Sequence, residues 1–198
     1  MTFSKKKLAK EQKLRDNSEA SSRLQNLEFS GIPKSDPEPR HLLKQRVFDI
    51  AQKLGANITL KDIDDAHRKI SGGVIVRFVS RDPRNELFQY TFKPDLKPKL
   101  KELTTDAFPS WPVTDRGRKI FMNESLTDDR ARLARVCRDK VKHINQEEGR
   151  SGQQRYRVSS NNGQVTVQDS MMRWRKIRSV NDFDNLHPND IPETEFDN

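Results

Sequence analysis

The chain has 198 residues, a net charge of +9, and 32% hydrophobic against 34% charged side chains. That balance allows one or two small domains with modest cores and argues against a single large enzyme core. The charge is uneven: residues 181–198 hold six acidic and no basic side chains, so residues 1–180 carry all 38 basic residues against 23 acidic ones, a net of +15. Such a field attracts polyanions, with nucleic acid or an anionic membrane surface the usual candidates and a basic surface kept for solubility the alternative.

Cys137 is the only cysteine, so the chain has no internal disulfide framework and no cysteine pair for a structural metal. The N-terminal MTFSKKKLAKEQK turns polar before any apolar run of signal-peptide length, and no stretch approaches the ~18–20 apolar residues of a membrane span. The expectation is an intracellular protein in a reducing compartment, without membrane insertion.

Residues 1–25 are charged and helix-favouring, with Leu8, Leu14 and Leu24 off any sustained heptad. They read as a basic helix, the frayed end of a coiled coil, or as a lysine-rich solvated arm. Leu27–Ile32 alternates with period two and stops at Pro33, which predicts a half-buried strand and then a turn through SDPEP. Leu43, Val47, Ile50, Ala51 and Leu54 fall at helical spacing, with Gly55 as a stop signal. A strand over Ile63–Arg68 follows, then a β-branched central strand over Val74–Val79. Asp82 and Pro83 open a helix running from Asn85 to about Phe92, and residues 93–118 read mostly as loop with a helical turn near Leu100–Leu103. Lys119–Asn123 closes the sheet. The order β-α-β-β-α-β over residues 26–125 is the split βαβ arrangement, which predicts an RNA-recognition-motif-like α+β domain.

Residues 126–187 predict a second, small α+β domain. Thr127 with Asp128 and Asp129 starts a helix whose apolar face is Leu133, Val136, Cys137, Val141 and Ile144. Arg155–Ser159 and Gln164–Gln168 flank Asn161-Asn162-Gly163, a strong hairpin signal. Met171–Arg178 adds a third strand, and Ser179 caps a short helix through Leu186. The acidic end, residues 188–198, lacks the apolar content to fold and reads as a disordered tail.

Catalytic signals are scarce. His41, His67, His143 and His187 lack metal-ligand spacing, and no Walker loop, GxSxG elbow or dinucleotide fingerprint is present. Asp62, Asp64 and Asp65 read as a strand entrance and Cys137 as a packing residue. No enzyme, cofactor or metal is expected. The basic residues are better organised: Arg130, Arg132, Arg135, Arg138, Lys140 and Lys142 lie on the non-apolar side of one helix, where guanidinium groups pair with phosphate oxygens or simply solvate the helix. Arg155, Arg157, Arg173, Trp174, Arg175, Lys176 and Arg178 form a second cluster, in which Trp174 is either a base-stacking platform or a core residue. Arg77 interrupts the most apolar strand and needs an open sheet face or a partner. Glu28, Ser30, Ile75, Arg77 and Val79 would occupy that open face, so the stacking aromatics of an RNA-recognition motif are missing there.

The series LEFSGIP, DIDDAHR, VIVRFVSRDPRNELF, LTTDAFPSWP, KIFMNESLTDDRARLAR, NNGQVTVQ and RWRKIRSVNDFDNL, over about residues 24–187, resembles the first-open-reading-frame protein of LINE-type retrotransposons. It is more similar still to the few-polyhedra (FP) proteins of insects and baculoviruses. The resemblance implies a central RNA-recognition-like domain and a C-terminal domain that together clamp single-stranded RNA or DNA. In the retrotransposon branch it also implies nucleic-acid chaperone activity and self-association through an N-terminal coiled coil. Arg68, Arg77, Arg135 and Arg157 match basic positions of the family's motifs, and Lys119 joins the candidate contacts. Two departures stand out: the N-terminal helix is short and poorly heptad-patterned, and Ser159-Ser160 stand where the retrotransposon proteins carry an aromatic. The FP branch offers a second expectation, a structural or interaction protein in virion or occlusion-body production. For the binder the expected location is a cytoplasmic ribonucleoprotein or the nucleus.

Overall fold

Alternation in Asn26–Ser30 buries Leu27 and Phe29 completely and turns Asn26, Glu28 and Ser30 to the opposite face. This strand, β1, is flanked by antiparallel partners on both sides. In the computed structural model, which describes residues 2–112, 116–148, 156–168 and 173–186, the chain divides into two compact units. Residues from Ser22 to Ser125 form one; those up to Ser21 join those from Leu126 onward in the other. The class is α+β with two antiparallel sheets. No helix among the described residues is long and apolar enough to cross a membrane.

In the Ser22–Ser125 unit, β1 is followed by α2 (Arg40–Leu54), β2 (Ile63–Arg68), β3 (Val74–Phe78), α3 (Arg81–Phe88), α4 (Lys97–Glu102) and β4 (Phe121–Glu124); α1 (Thr2–Ser22) precedes them all. The sheet order is β2-β3-β1-β4, with Glu28 opposite both Ile75 and Asn123. Leu43, Val47, Ile50, Ala51 and Leu54 form the buried stripe of α2, and Gly55 ends the helix at φ 82°, the left-handed conformation that glycine adopts without strain. They meet Leu27, Phe29, Val74, Val76 and Phe78 in one core.

The second helix starts earlier than the sequence suggests, at Arg81, and ends at Phe88 before a 3-10 turn over Gln89–Thr91. Pro83 is accommodated because first-turn residues have no intrahelical acceptor for an N–H. The segment expected to be mostly loop is better anchored than its proline and lysine content implies. Leu100, Leu103, Phe108 and Trp111 are buried in the same core. Phe108 and Trp111 stack at 4.1 Å, and Trp111 donates from Nε1 to Asp49 at 3.3 Å. Two arginines lie inside this unit: Arg84 meets Glu124 at 2.5 Å with both side chains buried, and Arg46 donates to the Pro33 carbonyl and to Ser35.

In the second unit, α5 (Asp128–Glu148) is capped by Thr127, whose hydroxyl accepts from the Arg130 N–H at 3.4 Å. Ala134, Cys137, Val141 and Ile144 pack on Val165, Val167, Ile177 and Phe183. Those residues come from β6 (Gln164–Gln168), β7 (Trp174–Ile177) and α6 (Val180–Asp184); β5 (Arg157–Asn161) completes a sheet of order β5-β6-β7. Asn162 and Gly163 both have positive φ, 51° and 68°, as a two-residue hairpin turn requires. Ser179 accepts from the Asp182 N–H and caps α6. Burial raises the Cys137 thiol to about pH 11, consistent with a packing role. The N-terminal segment is helical and belongs to this unit: Ala20 is buried, and Asp16 and Asn17 bind Arg130.

Candidate nucleic-acid interface

Antiparallel pairing sorts the residues of the three-stranded sheet by face. Val158, Val167 and Arg175 share one cross-strand row, and Ser160, Val165 and Ile177 the next; these turn toward α5. The alternate rows form the other face: Arg157, Gln168 and Trp174, then Ser159, Thr166 and Lys176. Trp174 is 51% exposed there, which resolves its sequence-level ambiguity in favour of the surface. Arg157 and Lys176 are also exposed, and neither is ion-paired with a described residue. An aromatic plane flanked by unpaired cations has the components of a single-strand platform, one to stack a base and the others to hold phosphates.

The basic helix splits into two groups. Arg132, Arg135, Arg138 and Lys142 are exposed along one side of α5. Arg130 and Lys140 instead make internal contacts. Arg130 donates to Asp16 at 2.8 Å, to the Gly163 carbonyl at 2.6 Å and to Asn17 at 2.8 Å, whereas Lys140 pairs with Asp184 at 2.5 Å. Arg173 precedes β7 and Arg175 lies on its α5 side, both exposed. Arg155 falls outside the described residues.

The candidates in the other unit have different surroundings. All five N–H groups of Arg68 are used: two bonds reach the Glu38 carboxylate at 2.6 and 2.7 Å, and three reach the carbonyls of Ile32, Pro33 and Gly72. No donor remains for a phosphate, so its observed work is to hold the loop after β1. Arg77 does reach the open face of the four-stranded sheet, where it is 55% exposed and pairs with Asp64 at 2.6 Å. Its neighbours are paired too, Glu28 with Lys69 and Asp65 with Arg40. Lys119 is exposed beside Thr104 at the mouth of β4. One aromatic on this face escaped the sequence argument: Phe121, 56% exposed, lies opposite Ser30. Its signal in the sequence is the period-two pattern of KIFMN, which sets Phe121 on the face opposite the buried Ile120 and Met122.

Among the described residues no three His, Cys, Asp or Glu side chains converge as a metal site. No family model matches the chain, and no curated protein matches it.

Proposed function

We propose that this protein is a sequence-tolerant binder of single-stranded nucleic acid, RNA foremost, that holds the strand by stacking and phosphate contacts and performs no catalysis. The observation that carries this reading is the row Arg157–Gln168–Trp174 with Lys176 two residues on, an exposed indole among cations that no described carboxylate neutralises. The Arg132, Arg135 and Arg138 stripe supports it as a second source of phosphate contacts. We further propose that the Ser22–Ser125 unit is an RNA-recognition-like domain, supported by the β2-β3-β1-β4 order, and that its charge-paired open face contributes less than the second sheet does. The resemblance of its motif order to that of the few-polyhedra and LINE proteins supports a viral or retroelement setting, with strand annealing and exchange as the proposed chaperone activity.

Fluorescence provides the test. Trp111 is buried and Trp174 exposed, so a bound base should quench only the Trp174 emission. Titration of a homopolymeric single-stranded RNA is expected to quench wild type and leave the emission of W174F unchanged. Binding without any Trp174 response would remove the stacking part of the proposal.

A further inference from the structure

A groove of about 970 Å³ lies within the second unit, walled by α1, the first turns of α5 and the end of β7. Its basic lining comprises Lys13, Arg130, Arg132, Lys176 and Arg178. The carboxylates in it are mostly engaged. Asp16 is taken by Arg130 and the Thr127 hydroxyl, and Asp182 by the Arg178 N–H and the Ser179 hydroxyl, hydrogen bonds that hold its pKa below the ordinary 3.8. Arg130 offsets Asp16, whereas Asp182 keeps its negative charge, so Asp129 and Asp182 together face Lys13, Arg132, Lys176 and Arg178, none of which forms a salt bridge with a described residue. Cations therefore outnumber carboxylates around the cleft, and a bound anion offsets the surplus positive charge. The cleft is much larger than a single phosphate. Lys176 and Arg178 are two residues apart along an extended chain, a step of about 6.7 Å, which suits adjacent phosphates of a stretched strand.

We infer that this groove is a phosphodiester-binding site for at least two consecutive phosphates of the strand whose base stacks on Trp174. Lys176 belongs to both places, since it shares the outer face of β7 with Trp174 and also lines the groove. The inference rests on the single-strand reading and adds α1 to the site: Lys13 is a binding residue, and Arg130 is the positioning residue that fixes the helix carrying it.

The test compares the double variant Lys13→Ala/Arg178→Ala with a control, Lys53→Ala/Lys61→Ala, which removes the same charge from exposed positions of the other unit. Affinity for a ~30-nucleotide single strand is measured over a salt series, where each phosphate contact contributes roughly −0.7 to the log–log slope. The groove variant should lose about 1.4 from the slope's magnitude while Trp174 is still quenched at saturation, and the control should keep the wild-type slope. Tight binding with an unchanged slope, or an equal loss in the control, overturns the groove and leaves the stacking reading in place. If wild type binds no strand, that reading fails, and amide-shift titration with inorganic tripolyphosphate judges the groove alone. Shifts concentrated at Lys13, Arg132, Lys176 and Arg178 sustain a phosphate site; their absence refutes it.

Discussion

Arg130 and Asp16 stand 114 positions apart in the chain and 2.8 Å apart in space. The same guanidinium reaches Asn17 on α1 and the carbonyl of Gly163 in the hairpin turn, so one side chain joins three elements. Removing it leaves Asp16 half-buried without its cation, a loss of roughly 1–3 kcal/mol. Hydrogen exchange on Arg130→Ala should therefore show the α1 amides losing protection while β1 and β3 of the other unit keep theirs. Unchanged α1 protection would mean that other contacts hold the helix.

The Arg84–Glu124 pair is the most deeply buried ion pair among the described residues, with side chains 4% and 2% exposed, and Arg84 also lies 4.3 Å above the Phe88 ring. Arg84→Ala strands a carboxylate in the core and should cost roughly 3–5 kcal/mol. The double change Arg84→Met/Glu124→Leu should cost markedly less, because it removes both charges. Urea denaturation of the two variants checks this; equal losses would mean that packing, not charge, dominates.

Glu38 gives the fold a pH dependence. Burial pushes its carboxyl upward, but the Arg68 hydrogen bond and charge, the Ser35 N–H and the Arg46 charge together outweigh that and hold it below the ordinary 4.5. A depressed folded-state pKa stabilises the protein above the unfolded value, and that contribution is lost as pH falls through the folded one. Wild-type stability in urea should thus decline as the medium is acidified below about pH 4.5. Glu38→Gln should begin less stable at neutral pH and decline less over the same range. Parallel curves for the two proteins would contradict this.

How much of this was readable beforehand depended on how local each signal is. Leu43 to Leu54 and Val74 to Phe78 announce their elements because a 3.6 or 2.0 period is written in adjacent residues, and Asn162-Gly163 announces its turn through backbone chemistry. The candidate platform was half legible. Arg157 and Trp174 belong to a basic cluster legible in the sequence, but their sharing one face follows from strand register, which two residues separated by a turn and a strand do not reveal. Arg68 and Arg130 show the opposite failure. A motif resemblance and a helical spacing suggest them as ligand contacts, while the partners that occupy them, Glu38 and Asp16, lie 30 and 114 residues away and carry no local signature. Lys13 was invisible for the same reason.

The central claim, a single strand held by stacking on Trp174 and by the phosphate contacts around it, is tested most directly by fluorescence anisotropy with single- and double-stranded RNA and DNA over a salt series, for wild type and Trp174→Ala. Since Trp174 is half exposed, its loss should leave the fold intact and weaken single-strand affinity by about 5- to 150-fold, equivalent to ~1–3 kcal/mol for one stacked base. Log affinity of the wild type should fall linearly with log salt, and single strands should bind more tightly than duplexes of the same length. Equal affinity for single strand and duplex, with Trp174→Ala indistinguishable from wild type, would contradict it.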